Sequence, residues 1–268
     1  MGRVVRPLLL EKPFMSANTP GVEDLVLAIS TVHRSPPYVH HTLASLFTAD
    51  PAVHRLEPVR VLVNGCDAGY LRDYGHHARL RIESLDSREE ERMAGWSIHR
   101  RACHNYYRCL SVPLSEGQGL VVCEDDVVFR DLFVQRLRET VGEMHAHGLE
   151  KYALALFATY DFEEEPSFYR GTLYCSYGWP FYGTQCMYFP AMVAREIADF
   201  VREHGVETPE APYDILLSRL YGDRMYACCR ALAQHIGEVS TGLGGAGRSP
   251  HFDRPFRPLL RSDWGRKS

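Results

Sequence analysis

Apolar residues fall along this chain in short runs separated by helical stretches, and that alternation predicts the fold before any motif is considered. The run Asp24–Thr31 (DLVLAIST) is apolar at consecutive positions, as expected of a strand buried on both faces. Pro58–Gly65 (PVRVLVNG) and Leu80–Leu85 (LRIESL) read as second and third strands, and LVVCEDDVVF, ending at Phe129, as the next. Between them, Pro36 and Pro37 predict a helix start, with Tyr38, Leu43, Leu46 and Phe47 towards one side. Further helices are predicted over Trp96–Val112, Leu132–Met144, Pro190–Gly205 and the shorter PYDILLSRLYG. Tyr152–Ala158 reads as a strand, and TLYCSYGWPFYGTQCMYF as strands and turns with an antiparallel contribution. Alternating strands and helices predict an α/β fold with a mostly parallel central sheet flanked by helices, and a more mixed second half. Residues 1–21 read as a lead-in, 22–241 as one domain and 242–268 as a loop-like tail.

Composition narrows the partners. The 268 residues are 45% hydrophobic and 24% charged, as in ordinary globular proteins. A formal net charge of -4 gives no basic footprint for nucleic acid or an anionic membrane. None of the eight cysteines forms a Cys-x-x-Cys pair, which argues against structural zinc. Several lie in apolar runs as small hydrophobes, which predicts a reducing compartment. No run approaches the ~18–20 apolar residues that span a bilayer, and the first residues do not read as a signal peptide. The expectation is a soluble cytoplasmic protein.

The chemistry concentrates in GLVVCEDDVVF, where Glu124, Asp125 and Asp126 interrupt two apolar runs. Three adjacent carboxylates repel one another, and burying them unpaired is costly. Either they lie on the wet rim of a sheet, capping the next helix, or a divalent cation holds them. They end the strand that starts at Gly119, and ligands of open α/β sheets bind outside the carboxyl ends of strands. Extended alternation points Glu124 and Asp126 to one side and Asp125 to the other. Hard oxygen donors suit Mg²⁺ or Mn²⁺ together with a substrate phosphate.

Four segments resemble one family. ISTVHRSPPYVHHTLASL, RRACHNYYRCLSV, VVCEDDVVF and QHIGEVST follow in order across residues 25–241. Together they resemble GT-A-type glycosyltransferases, and within them the N-acetylglucosaminyltransferase IV group and the related GPI GalNAc transferases. Those relatives are membrane-anchored, whereas this sequence shows no anchor, so an N-glycan or GPI acceptor does not carry over. The resemblance implies a metal-dependent, inverting transferase that moves a sugar from a nucleotide sugar, such as UDP-GlcNAc or another UDP-sugar. The acceptor would be a hydroxyl of a glycan, a glycolipid or another molecule.

It also implies roles. Asp126, Glu124 and His235 would hold Mn²⁺ (or Mg²⁺), although His235 on a short apolar segment equally suits a core histidine. Thr31, Arg34 and Asp125 would meet the nucleotide or its sugar, and Arg100 and Arg101 the diphosphate. Arg34, Arg100 and Arg101 read equally well as solvated basic residues. Asp214, in the first turn of a helix, would be the general base; a helix-dipole acid is its alternative. Trp179, Phe181 and Tyr182 form an aromatic cluster suited to a sugar ring or to packing. The Gly-rich STGLGGAGRSP is either a lid or a flexible exit. A metal-dependent nucleotidyl- or phosphotransferase would need the same acids, and a non-catalytic sugar-nucleotide-binding relative would retain the same fold.

Overall fold

The computed structural model describes residues 25–159, 170–177, 184–238 and 247–253. The aromatic cluster at 179–182, the 1–21 lead-in and most of the Gly-rich segment lie outside them.

The first half alternates β1 (Leu25–Thr31), α1 (Val39–Ala49), β2 (Val59–Val63), β3 (Leu80–Glu83), α2 (Ser87–Met93), α3 (Ile98–Leu110) and β4 (Gly119–Glu124). The second comprises β5 (Val127–Phe129), α4 (Phe133–Ala146), β6 (Ala153–Ala155), β7 (Tyr174–Ser176), β8 (Cys186–Pro190), α5 (Ala191–Val201), α6 (Tyr213–Tyr221), β9 (Met225–Cys228) and β10 (Ala233–His235).

Eight strands form one sheet in the order β3-β2-β1-β4-β8-β6-β9-β7. The first four are parallel, β8 runs antiparallel to both β4 and β6, and β7 runs antiparallel to β9. The predicted mixed α/β architecture is thus the observed one. Side chains of β1 explain its unbroken apolar run. Leu25, Leu27 and Ile29 pack on one face with Leu43 and Leu46 of α1 and Phe133 and Leu137 of α4. Val26 and Ala28 pack on the other with Tyr106 of α3, Ile197 of α5 and Leu216 of α6. A strand covered on both faces has no polar side to display.

Three elements differ from expectation. α1 begins at Val39, two residues beyond the proline pair. The charged stretch after Leu85 is itself a helix, α2, started by a capping box in which Asp86 accepts from Glu89 N at 2.7 Å. LVVCEDDVVF is two strands, because Asp125 and Asp126 form a turn that takes the chain out of the main sheet. Beyond that turn, β5 pairs antiparallel with β10, placing His235 opposite Val127. Thr42 of α1 fixes the turn: its hydroxyl donates to Asp125 O at 2.7 Å and accepts from Val127 N at 3.2 Å.

Candidate active site

From β1 the chain crosses to β2 on one side and later returns to β4 on the other. The carboxyl ends of β1 and β4 therefore flank the point where strand order reverses, the usual crevice of open α/β sheets. Ser30 pairs with Glu124 there, so Thr31 and the acids share one edge.

The three acids divide between two sides, although the turn at Asp125 and Asp126, and not strand alternation, is what separates them. Asp125 turns towards β1, where Thr31 Oγ1 donates to its Oδ2 at 2.6 Å and Arg34 Nη2 to its Oδ1 at 2.5 Å. The same guanidinium nitrogen lies 2.8 Å from Asp126 Oδ2 and so joins both acids. Arg34 also lies over the Tyr38 ring, 4.7 Å from its centroid, and Tyr38 in turn accepts from Glu238 N. On the other side, Glu124, Asp126 and His235 offer ligand atoms that all lie within 4.8 Å of one another. His235 Nε2 lies 3.2 Å from Asp126 Oδ2.

The electrostatics follow from that crowding. Burial, aided by the Asp126 charge, pushes Glu124 up to about 7. Burial likewise raises Asp125 to about 6, against the opposing pull of Arg34. Burial would raise Asp126 too, but His235 and Arg34 outweigh it and hold its carboxyl below the usual range. His235 mirrors this: burial works against its charge, and Asp126 prevails and raises it.

The donor set fits a hard or borderline divalent cation. Two carboxylates and an imidazole converge, and Asp126 Oδ1 is buried without a hydrogen-bond partner. Close packing of the backbone completes the cradle. A Cβ on Gly237 would stand inside contact distance of the Asp126 carboxylate and 3.0 Å from His235 Nε2. Only glycine leaves that space open.

The remaining predicted residues stand on α6 and α3. Asp214 sits in the first turn of α6, where its Oδ1 accepts from Ile215 N at 2.9 Å and burial raises its pKa. Arg100 and Arg101, at the start of α3, do not reach the acids. Arg100 lies over the Trp96 ring and donates to Val206 O, and Arg101 donates to Met93 O.

Sequence reasoning missed several neighbours of the acids. Tyr213 donates to Glu124 Oε1 at 2.8 Å, and burial drives its own ionisation well above the usual range. Tyr70 lies 3.2 Å from the Thr31 hydroxyl and stacks on His33. Asn64 donates its backbone N–H to Thr31 O and holds a buried side-chain oxygen without a partner. Gln185, whose carbonyl accepts from Glu124 N, holds another. The period-2 and helical patterns report which face of an element is buried and are silent on such cross-element pairs.

No protein-family profile matches the sequence, and no curated protein matches it. Solved structures do match in fold. The mannosyltransferase PcManGT from Pyrobaculum calidifontis, in complex with GDP-Man and Mn²⁺, is 16% identical, with 83% of this chain and 61% of that one covered at a TM-score of 0.51. This chain therefore spans about three fifths of that structure's length. Weaker likenesses include S. aureus TarS 1-349, at 12% identity with 76% and 57% of the two chains covered and a TM-score of 0.47. Another is 4-diphosphocytidyl-2C-methyl-D-erythritol synthase from Anaerococcus prevotii, at 10% identity, 77% and 86% coverage and a TM-score of 0.44. What this chain shares with PcManGT is the GT-A-like mixed α/β fold. Among the described residues, no helix is long and apolar enough to cross a membrane.

Proposed function

We propose that this protein is a metal-dependent glycosyltransferase that moves a sugar from a nucleotide-sugar donor, a UDP-sugar such as UDP-GlcNAc, to a hydroxyl of a glycan, glycolipid or other acceptor. The observation that carries the reading is the convergence of Glu124, Asp126 and His235 at the β1–β4 switch, with an orphaned carboxylate oxygen among them. These three residues would hold Mn²⁺ or Mg²⁺, which when bound neutralises charge on the donor diphosphate and its departing nucleoside diphosphate.

The chain's own residues supply the rest. Thr31 and Arg34 fix Asp125 at the edge where β1 ends, so its carboxylate is oriented before a donor ribose or sugar arrives. Arg34, already bridging two acids, balances their charge and offers a cation beside the diphosphate. Arg100 and Arg101, tied to main-chain carbonyls, fall outside the donor set of this reading. Asp214 is the proposed general base, and its raised pKa suits a carboxylate that must accept a proton. Its neighbour Tyr213 touches Glu124, which supports an approach of the first turn of α6 to the donor site. In an inverting transfer the acceptor oxygen bonds to the anomeric carbon as the bond to diphosphate breaks, and the acceptor proton passes to Asp214. The cysteines, buried as small hydrophobes except Cys66, support a cytoplasmic location.

Calorimetry with a panel of nucleotide sugars and nucleoside triphosphates, with and without Mn²⁺, tests this. The expected result is Mn²⁺-dependent binding of a UDP-sugar, retained by Asp214→Asn while transfer is lost. Preference for a triphosphate over every nucleotide sugar would replace the reading with a nucleotidyl- or phosphotransferase. Transfer retained by Asp214→Asn removes the base assignment, and donor binding without turnover for any acceptor leaves a binding protein.

A further inference from the structure

Glu124 stands at the end of a strand, where its carboxylate has no helix or turn of its own to orient it. The contact that does so comes from α6, in the second half of the chain. Tyr213, the first residue of α6, donates from its hydroxyl to Glu124 Oε1 at 2.8 Å. An ionised carboxylate only accepts, so this bond engages one oxygen and fixes the plane of the group. The phenol is itself held in place. Its ring stacks on Tyr106 of α3 with centroids 4.5 Å apart and planes 16° from parallel. Tyr106 is 3% exposed, so the platform beneath Tyr213 belongs to the core. Tyr106 makes the same stack but lacks the link, because its hydroxyl is buried without a partner.

We infer that Tyr213 is a positioning residue: it orients Glu124 for the divalent cation and so ties the start of α6, which carries Asp214, to the cation site. This rests on the metal-dependent reading above. Groups that orient a metal ligand from behind typically change metal affinity by about 10- to 100-fold when removed. Tyr213→Phe retains the ring and the stack and deletes only the donor.

The test is a titration of MnCl₂ into the full chain for wild type, Tyr213→Phe and Tyr106→Phe, beside urea unfolding of each in EDTA. The expected result is a Kd raised by about 10- to 100-fold in Tyr213→Phe, no change in Tyr106→Phe, and a single cooperative urea transition of wild-type slope in all three. The electron paramagnetic resonance spectrum of the Mn²⁺-saturated Tyr213→Phe protein should also differ from wild type, since its carboxylate reorients. Wild-type affinity in Tyr213→Phe overturns the inference. So does a loss that accompanies a shallower urea transition, which would assign Tyr213 to packing. Absence of Mn²⁺ binding by wild type overturns this inference and the functional reading together.

Discussion

The ribbon of β5 and β10 has buried charge at both ends, and the two ends settle it by different means. Beyond Val127 and His235 lies Asp126, which meets Arg34 and His235 but keeps Oδ1 without a hydrogen-bond partner. Beyond Phe129 and Ala233 lies Arg130, which donates from Nε to Ala231 O at 2.8 Å, from Nη2 to His251 O at 2.7 Å, and to Phe252 O. Arg230 donates to His251 Nδ1, and Gln234 exchanges two bonds with Ser249. At the basic end the main chain itself answers the charge and fastens residues 249–252 to the ribbon. At the acidic end the chain leaves a carboxylate short. Buried polar groups are nearly always satisfied, so the first arrangement is complete within the fold, whereas the second matches the cation site proposed above.

Substitutions at the two ends should therefore fail in different assays. The largest effect is expected for Asp126→Asn, which keeps the shape and removes the ligand charge. Mn²⁺ should raise the melting temperature of wild type and leave that of Asp126→Asn where it was. An equal rise in both proteins would remove Asp126 from the ligand set and dissolve the contrast. Next comes Arg130→Met, which strands carbonyls that the guanidinium now satisfies. Each buried group left unpaired costs about 1–3 kcal/mol, so unfolding in urea should shift by about that amount or more. Mn²⁺ affinity of the folded fraction should stay at the wild-type level; its loss would show that the ribbon ends are not separable.

The smallest effect sharpens the contrast with a third solution, in which a buried group gives up its charge. His104 of α3 lies edge-on to Trp96 with a buried Nδ1 that has no partner. Burial, with the nearby Arg108 and Arg92, lowers its pKa to about 4. The unfolded chain then binds more protons than the native one between its ordinary value, about 6.5, and about 4. This contribution is whole above the unfolded value and is lost as pH falls through that window. His104→Phe should therefore lose less stability than wild type between pH 7 and pH 5 in paired urea titrations. Parallel losses would mean that His104 is charged in the native state.

Much of the architecture was legible because burial on both faces leaves an apolar run, as in β1 and β4. The acid triplet was legible as chemistry because three carboxylates inside such runs contradict everything around them. What escaped was non-local. The turn at Asp125 depends on Thr42, and the phenol on Glu124 comes from α6, residues with no local reason to announce those partners. α2 was a different kind of miss, since its Asp-x-x-Glu start is a readable signature overlooked in a charged stretch. Arg100 and Arg101 suggest an anion because a basic pair stands near a helix start; in the fold Arg100 donates to Val206 O, far away in sequence, and Arg101 to Met93 O.

The pairing of β5 with β10 also has a consequence for the order of assembly. It joins residues 127–129 to 233–235, and the arginine beside them comes from the segment after β1. No short contiguous fragment of the chain contains the proposed cation site. The β1–β4 pair spans nearly as much sequence as the β5–β10 pair, so the two closures carry similar loop entropy. A chain that has formed the β1–β2–β4 layer without the β5–β10 ribbon would still lack His235 at the proposed site. Uptake of Mn²⁺ during refolding would then report the docking of β10 and not the formation of the main sheet.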